Sequence, residues 1–209
     1  TVLHIMKQSN KQSILDAAKQ AVLAVGWQRA TAADIARRAG VSRMTLYRHW
    51  PDVGTLLRDL TVREWSVTYL PTGEDVTPSS IAEGVMTGAH GITRDELYLA
   101  TVNNDPEILL PYLINRQGRN WRIAHAKLVE VITSGQRAGR VRDGDATVMA
   151  ASIQAIAESY SLHVAGAASS PDEEESDAES PEGPDLPPNV WSGAARAEFT
   201  TMIERYLTP

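Results

Sequence analysis

TAADIARRAGVSRMTLYRHW, residues 31–50, is the stretch on which the reading of this chain turns. It has the pattern of two short helices meeting at a tight turn. Thr31 is placed to cap the first helix, its hydroxyl accepting from an orphan backbone N–H of the opening turn. Asp34 follows where the positive end of the helix dipole favours an acid. Ile35, Ala36 and Ala39 fall on one face at helical spacing, and Gly40 stands where a helix ends in a left-handed residue. Val41 turns inward. Ser42 can then cap a second helix that reaches about Trp50, with Leu46 and Trp50 four apart on its buried side.

A helix–turn–helix needs a small residue where its helices cross, a turn residue tolerant of positive φ, and apolar residues that fix the angle. Ala36, Gly40, Val41 and Leu46 supply these in the required order. Arg43, Met44, Thr45, Tyr47, Arg48 and His49 are left outward, a set able to donate to phosphates and reach base edges in a major groove. Taken alone, the pattern is equally compatible with a plain helical hairpin carrying solvated arginines. The flanks decide between them.

The net charge of −6 is unevenly distributed. Residues 1–65 carry ten Lys/Arg against five Asp/Glu, a local +5, and residues 66–209 carry ten against twenty-one, a local −11. A basic head on an acidic body suits a protein that meets DNA with one end. The 209 residues, 43% hydrophobic, can bury a sizeable core. With no Cys there are no disulfides or thiolate metal sites, and a reducing compartment fits. No apolar run approaches a membrane span, and the opening TVLHIMKQSNK is too short and polar for a signal peptide, so a cytoplasmic protein is expected.

Along the chain, Ile14, Ala18, Ala21, Val22 and Val25 recur at helical spacing over residues 8–25, and Gly26 closes that helix. Pro51 marks a boundary, and Asp52 can cap a fourth helix carrying Leu56, Leu57, Leu60, Trp65 and Tyr69, predicted over residues 52–70. Helices are then expected at 78–92, 94–103, 106–115 and 118–138, the last ended by the GRVRDGD turn at 139–145. Two more follow, at 147–168 and 191–207, the first with Met149, Ile153, Ile156, Tyr160 and Val164, the second with Ala195, Phe199, Met202, Ile203 and Tyr206. Strand-like alternation is nowhere convincing, so the fold is read as all-α. Residues 171–185 hold eight acids, three prolines and no Lys or Arg, the composition of a solvated linker. A calcium loop is the competing reading, and the acids lack the alternation about a turn glycine that it needs.

The capped first helix, the A-x3-G-V-S-x2-T-L-Y-x-H-aromatic core and the proline turn with its Leu-Leu resemble the DNA-binding domain of TetR-family transcriptional regulators over residues 12–60. The rest is similar to the family only in layout. The resemblance implies a DNA-binding domain at 8–51 and a helical effector-binding and dimerisation domain at 52–209, with 52–70 as linking helix and 169–189 as an acidic loop. It implies base contacts for Arg43 and Met44, phosphate contacts for Thr45, Tyr47 and His49, and a backbone anchor in Thr31; Ser42 and Arg48 complete the expected DNA-facing set. Two departures matter. Val53 stands where the family often has a lysine, and Ala33 is too short to reach a base, so the head is expected to lean on a second head in a homodimer. That dimer is expected to form through about 147–168 and 191–207, helices whose apolar faces are otherwise intrachain core.

The same resemblance implies a small-molecule pocket in the second region. Candidate lining residues are Trp65, Tyr69, Met86, His90, Tyr98, Trp121, His125, Tyr160 and His163, each of which also reads as ordinary core or surface. The scarcity of charge on the apolar helices suggests a neutral or weakly polar effector held by hydrophobic contact. The function so implied is a repressor that binds a palindromic operator in double-stranded DNA as a dimer and is released by a small, mainly apolar ligand. The alternative is a regulator of the same fold controlled by a protein partner. No H-E-x-x-H, G-x-S-x-G or G-x4-G-K-[ST] is present, so neither an enzyme nor a metal or other cofactor is expected.

Overall fold

A computed structural model of the chain describes residues 2–65, 69–109, 118–167, 190–191 and 193–209, with side chains from residue 10 onward. The described helices are α1 (Val2–Val25), α2 (Ala32–Arg38), α3 (Arg43–His49), α4 (Val53–Glu64), α5 (Pro78–Ile92), α6 (Glu96–Asn104), α7 (Arg119–Arg137), α8 (Ala146–Ala167) and α9 (Gly193–Leu207), with short 3-10 turns at Gly73–Asp75 and Pro106–Ile108. The fold is all-α, with no strand among the described residues. None of the described helices is long and apolar enough to cross a membrane. The expected acidic loop at 169–189 and most of the helix expected at 106–115 lie outside the described residues.

The chain divides into two compact units, one of Thr1–Ser66 with Glu96–Trp121 and the other of Val67–Asp95 with Arg122–Pro209. In the first, α1 buries Ile14, Ala18, Ala21 and Val22 against Ile35 and Ala36 of α2, Leu46 of α3 and Leu56 and Leu60 of α4. The helix starts at Val2, earlier than the expected residue 8, since no Gly or Pro in between opposes it. Gly26 ends it in the left-handed conformation.

The prediction for α4 requires correction. The helix stops at Glu64, with Trp65 as its C-cap, instead of running on to residue 70. Trp65 and Tyr69 continue the apolar period, but β-branched and aromatic residues dominate 65–69 and favour helix weakly. The Tyr69 carbonyl lies so close to Gly84 of α5 that a Cβ there would collide with it.

In the second unit, α5 begins with a reciprocal cap, Thr77 Oγ1 accepting from Ser80 N at 3.1 Å while Ser80 Oγ accepts from Thr77 N at 2.9 Å. Ile81 and Met86 of α5 meet Leu128, Val131 and Ile132 of α7, Met149, Ile153 and Tyr160 of α8, and Ile203 and Leu207 of α9 in one core. The turn at 138–145 is held from outside: Arg140 donates to the Val76 carbonyl at 2.7 Å and the Arg142 N–H to the Leu207 carbonyl at 2.9 Å. Gln136 reaches Met149 while His125 reaches Gln154, so α7 and α8 run antiparallel.

Candidate nucleic-acid interface

At seven residues each, α2 and α3 are too short to be stable alone. Two local caps and a turn define them, and a third cap opens α4. Thr31 Oγ1 accepts from Asp34 N at 3.3 Å, Ser42 Oγ from Thr45 N at 3.1 Å and Asp52 Oδ1 from Thr55 N at 2.6 Å. Between the first two, Gly40 sits at φ +66° with nothing near its missing Cβ, so conformation alone calls for glycine. The Val41 N–H reaches the Ala36 carbonyl at 3.0 Å and closes the turn.

This leaves α3 with Leu46 buried and Arg43, Met44, Tyr47 and Arg48 exposed, Met44 to 72% and Tyr47 to 46%. Thr45 is half-buried, its hydroxyl 3.0 Å from that of Ser42, so both hydroxyls also serve the cap. The half-buried His49 ring tilts against Trp50 at 5.5 Å. Thr31 is exposed at the start of α2, as is Ala33 beside it. Val53 packs against the core at the start of α4.

Charge pairing separates the arginines into two groups. Asp34 takes both Arg37 and Arg38, whose hydrogen bonds hold its carboxyl below the usual range. Arg63 is paired with Asp16 and Glu64. Arg43 and Arg48, by contrast, have no hydrogen-bond or ion-pair partner among the described residues. An exposed guanidinium free of internal carboxylates is available to a phosphate or a guanine edge.

The sequence reading missed the support behind this surface. Trp50 donates its indole N–H to Asp59 of α4, and Lys11 of α1 reaches the same carboxylate and lies 5.5 Å from the Trp50 ring centre. Behind the α1–α2 turn, Trp27 donates its indole N–H to the buried Thr101 hydroxyl at 2.8 Å, and its backbone N–H to Asp105 at 3.3 Å. Except for Trp50 and Asp59, nine residues apart, these pairs join residues far apart in sequence, and no local pattern announces them.

The nine candidate effector residues do not form one group. In the first unit, Trp65 and Tyr98 pack edge to face at 5.5 Å, and Trp27 lies tilted against Trp65 at 6.3 Å. Trp121 is half-buried near the start of α7. In the second unit, Met86 is fully buried, His90 Nδ1 lies 3.1 Å from the Tyr160 hydroxyl, and His125 Nδ1 lies 2.8 Å from Gln154 Oε1. Burial, then the charges of Arg94 and Arg196, push the His90 pKa down, and burial pushes Tyr160 up. Tyr69 is 57% exposed, and the exposed His163 stacks on Trp191 at 4.6 Å.

Comparison with known proteins agrees with this geometry. The family profile described as bacterial regulatory proteins, tetR family, matches residues 14–60. An uncharacterized HTH-type transcriptional regulator of Mycobacterium bovis is 32% identical over 149 residues, covering 70% of this chain and 77% of the relative. Among solved structures, Salmonella enterica GusR superposes with TM-score 0.62 at 19% identity, covering 95% of each chain. RolR in complex with resorcinol superposes with TM-score 0.60 at 12% identity, covering 98% of this chain and 90% of that one. The chain belongs to the tetR family of bacterial regulatory proteins, DNA-binding transcriptional regulators of helix–turn–helix type.

Proposed function

We propose that this protein is a cytoplasmic repressor that binds a palindromic operator as a homodimer and is released by a small, mainly apolar ligand. The observation that carries the DNA part is the free state of Arg43 and Arg48 on α3, beside exposed Met44 and Tyr47. In this reading Arg43 and Met44 meet base edges. Thr31, Ser42, Thr45, Tyr47, Arg48 and His49 hold the backbone and set register.

A seven-residue reading helix covers one half-site, so two heads are needed for affinity and symmetry. The dimer is assigned to 147–168 and 191–207, supported by apolar side chains left exposed on both: Val148 at 59% on α8 and Met202 at 45% on α9. Effector binding is assigned to 52–209. It is supported by the polar pairs His90–Tyr160 and His125–Gln154 set among apolar residues, and by a fold neighbour solved with a small aromatic ligand.

The test is binding to DNA from the gene's own promoter across a salt series. A repressor dimer that neutralises several phosphates loses affinity steeply as salt rises. A flat slope, or equal affinity for promoter and random DNA, would sink the reading.

A further inference from the structure

Among the described residues of the first unit, the arginines fall into two sets. Arg37 and Arg38 are taken up by Asp34, Arg63 by Asp16 and Glu64, and Arg119 by Asp59. Arg29, Arg43, Arg48 and Arg58 make no ion pair among the described residues. Arg43 and Arg48 belong to α3, and Arg29 donates Nε to the Val25 carbonyl at the end of α1. Arg58 stands apart, exposed on α4.

Its guanidinium is held in place. Nη2 donates to Thr55 Oγ1 at 2.7 Å, one turn back along α4, so the side chain folds toward the start of that helix. Nη1 comes to rest 3.4 Å from where a Gly54 Cβ would stand. The Asp52 carboxylate flanks the same glycine, Oδ1 3.2 Å from that point, and already accepts from the Thr55 N–H at 2.6 Å. Pro51, Asp52 and Gly54 are exposed and follow closely on exposed Arg48, while Trp50 and Val53 turn into the core between them. The surface that α3 presents thus continues along the chain to the place where the Arg58 guanidinium rests. Asp52 alone would set a negative charge at this margin and repel a phosphate backbone; Arg58 offsets it and has donors to spare.

We propose that Arg58 grips one backbone phosphodiester of each half-site in the DNA complex, just outside the bases that α3 faces. This rests on the reading of α3 as the DNA-facing helix and extends that surface onto α4. A guanidinium already tied at one N–H loses little freedom on binding, and its open donors match two oxygens of one phosphate. Such a contact adds affinity and fixes register without reading sequence.

The test uses the full chain and DNA from the gene's own promoter, with wild type, Arg58→Gln and Arg58→Lys. Affinity is measured across a salt series, and the phosphates needed for binding are mapped by ethylation interference. Arg58→Gln should bind about tenfold more weakly at low salt, on preferred and altered sites alike. Its salt dependence should be shallower by about one phosphate per head, with one interfering phosphate lost from each half-site. Its melting temperature should match wild type, and Arg58→Lys should regain both slope and footprint. An unchanged slope and footprint for Arg58→Gln, a loss confined to particular bases, a lysine variant no better than glutamine, or an affinity loss matched by a lower melting temperature would each overturn the assignment. Steep salt dependence in wild type, unaltered in Arg58→Gln, would keep the DNA reading and remove Arg58 from it. A wild type indifferent to salt would sink that reading itself.

Discussion

Trp50, which closes the reading helix, donates its indole N–H to Asp59 of α4 at 3.0 Å. Lys11 and Arg119 reach the same carboxylate at 3.4 and 2.5 Å. Burial pushes the Asp59 pKa up, but the indole, Lys11 and Arg119 outweigh it and hold it below the usual range. A depressed folded pKa confers stability that is present above the unfolded value and lost as pH falls through the folded one. Asp59→Asn should therefore cost about 1–3 kcal/mol at neutral pH. Its deficit against wild type should shrink on acidification below about pH 4. Denaturation midpoints over a pH series measure this, and a deficit independent of pH would contradict it.

Arg43 and Tyr47 should fail differently. Arg43→Ala should cost about 1–3 kcal/mol on the preferred operator and relax discrimination at one base position. Tyr47→Phe should weaken every sequence alike, because a phenol on a phosphate carries no base information. Binding of both variants to an operator mutation panel separates the two, and the reverse pattern would show the roles exchanged.

Thr101 is fully buried, and its hydroxyl accepts from the Trp27 indole while donating to the Leu97 carbonyl at 2.6 Å. Thr101→Val keeps the shape and strands the indole N–H, at a cost of about 1–3 kcal/mol. Thr101→Ser keeps the hydroxyl and should recover most of that loss. Chemical denaturation of the two variants decides it; equal stabilities would mean that the hydrogen bond contributes nothing.

Two glycines are required for different reasons. Gly40→Ala meets no neighbour but holds a Cβ at positive φ, which costs about 1–2 kcal/mol. Gly84→Ala has an ordinary helical φ and drives a Cβ into the Tyr69 carbonyl. Its cost should be about 1–3 kcal/mol, with backbone shifts around residue 69. Gly40→Asn, which tolerates the left-handed region, should be milder than Gly40→Ala, whereas Gly84→Ser should be no better than alanine. Melting temperatures of the four variants check the ranking.

What was legible in the sequence was what is encoded locally. Thr31, Ser42 and Asp52 cap within three residues of themselves, and Gly40 and Gly26 announce their own backbone conformation. The end of α4 was misread because nothing at residues 65–69 breaks a helix outright and the apolar period continues past the observed stop at Glu64. Asp59, Thr101 and Asp105 escaped notice because their partners lie far along the chain.

The brevity of α2 and α3 has a consequence for anyone wishing to reprogram this protein. Seven residues of helix rise only about 10 Å, and a peptide of that length does not hold its shape in water. The DNA-reading surface is therefore not a portable part. Moved to another scaffold it would have to travel with the pocket that grips Leu46, the floor beneath Trp50 and the acid that receives its indole. Altered operator preference is better sought by exchanging the outward side chains in place than by transplanting the helix that carries them.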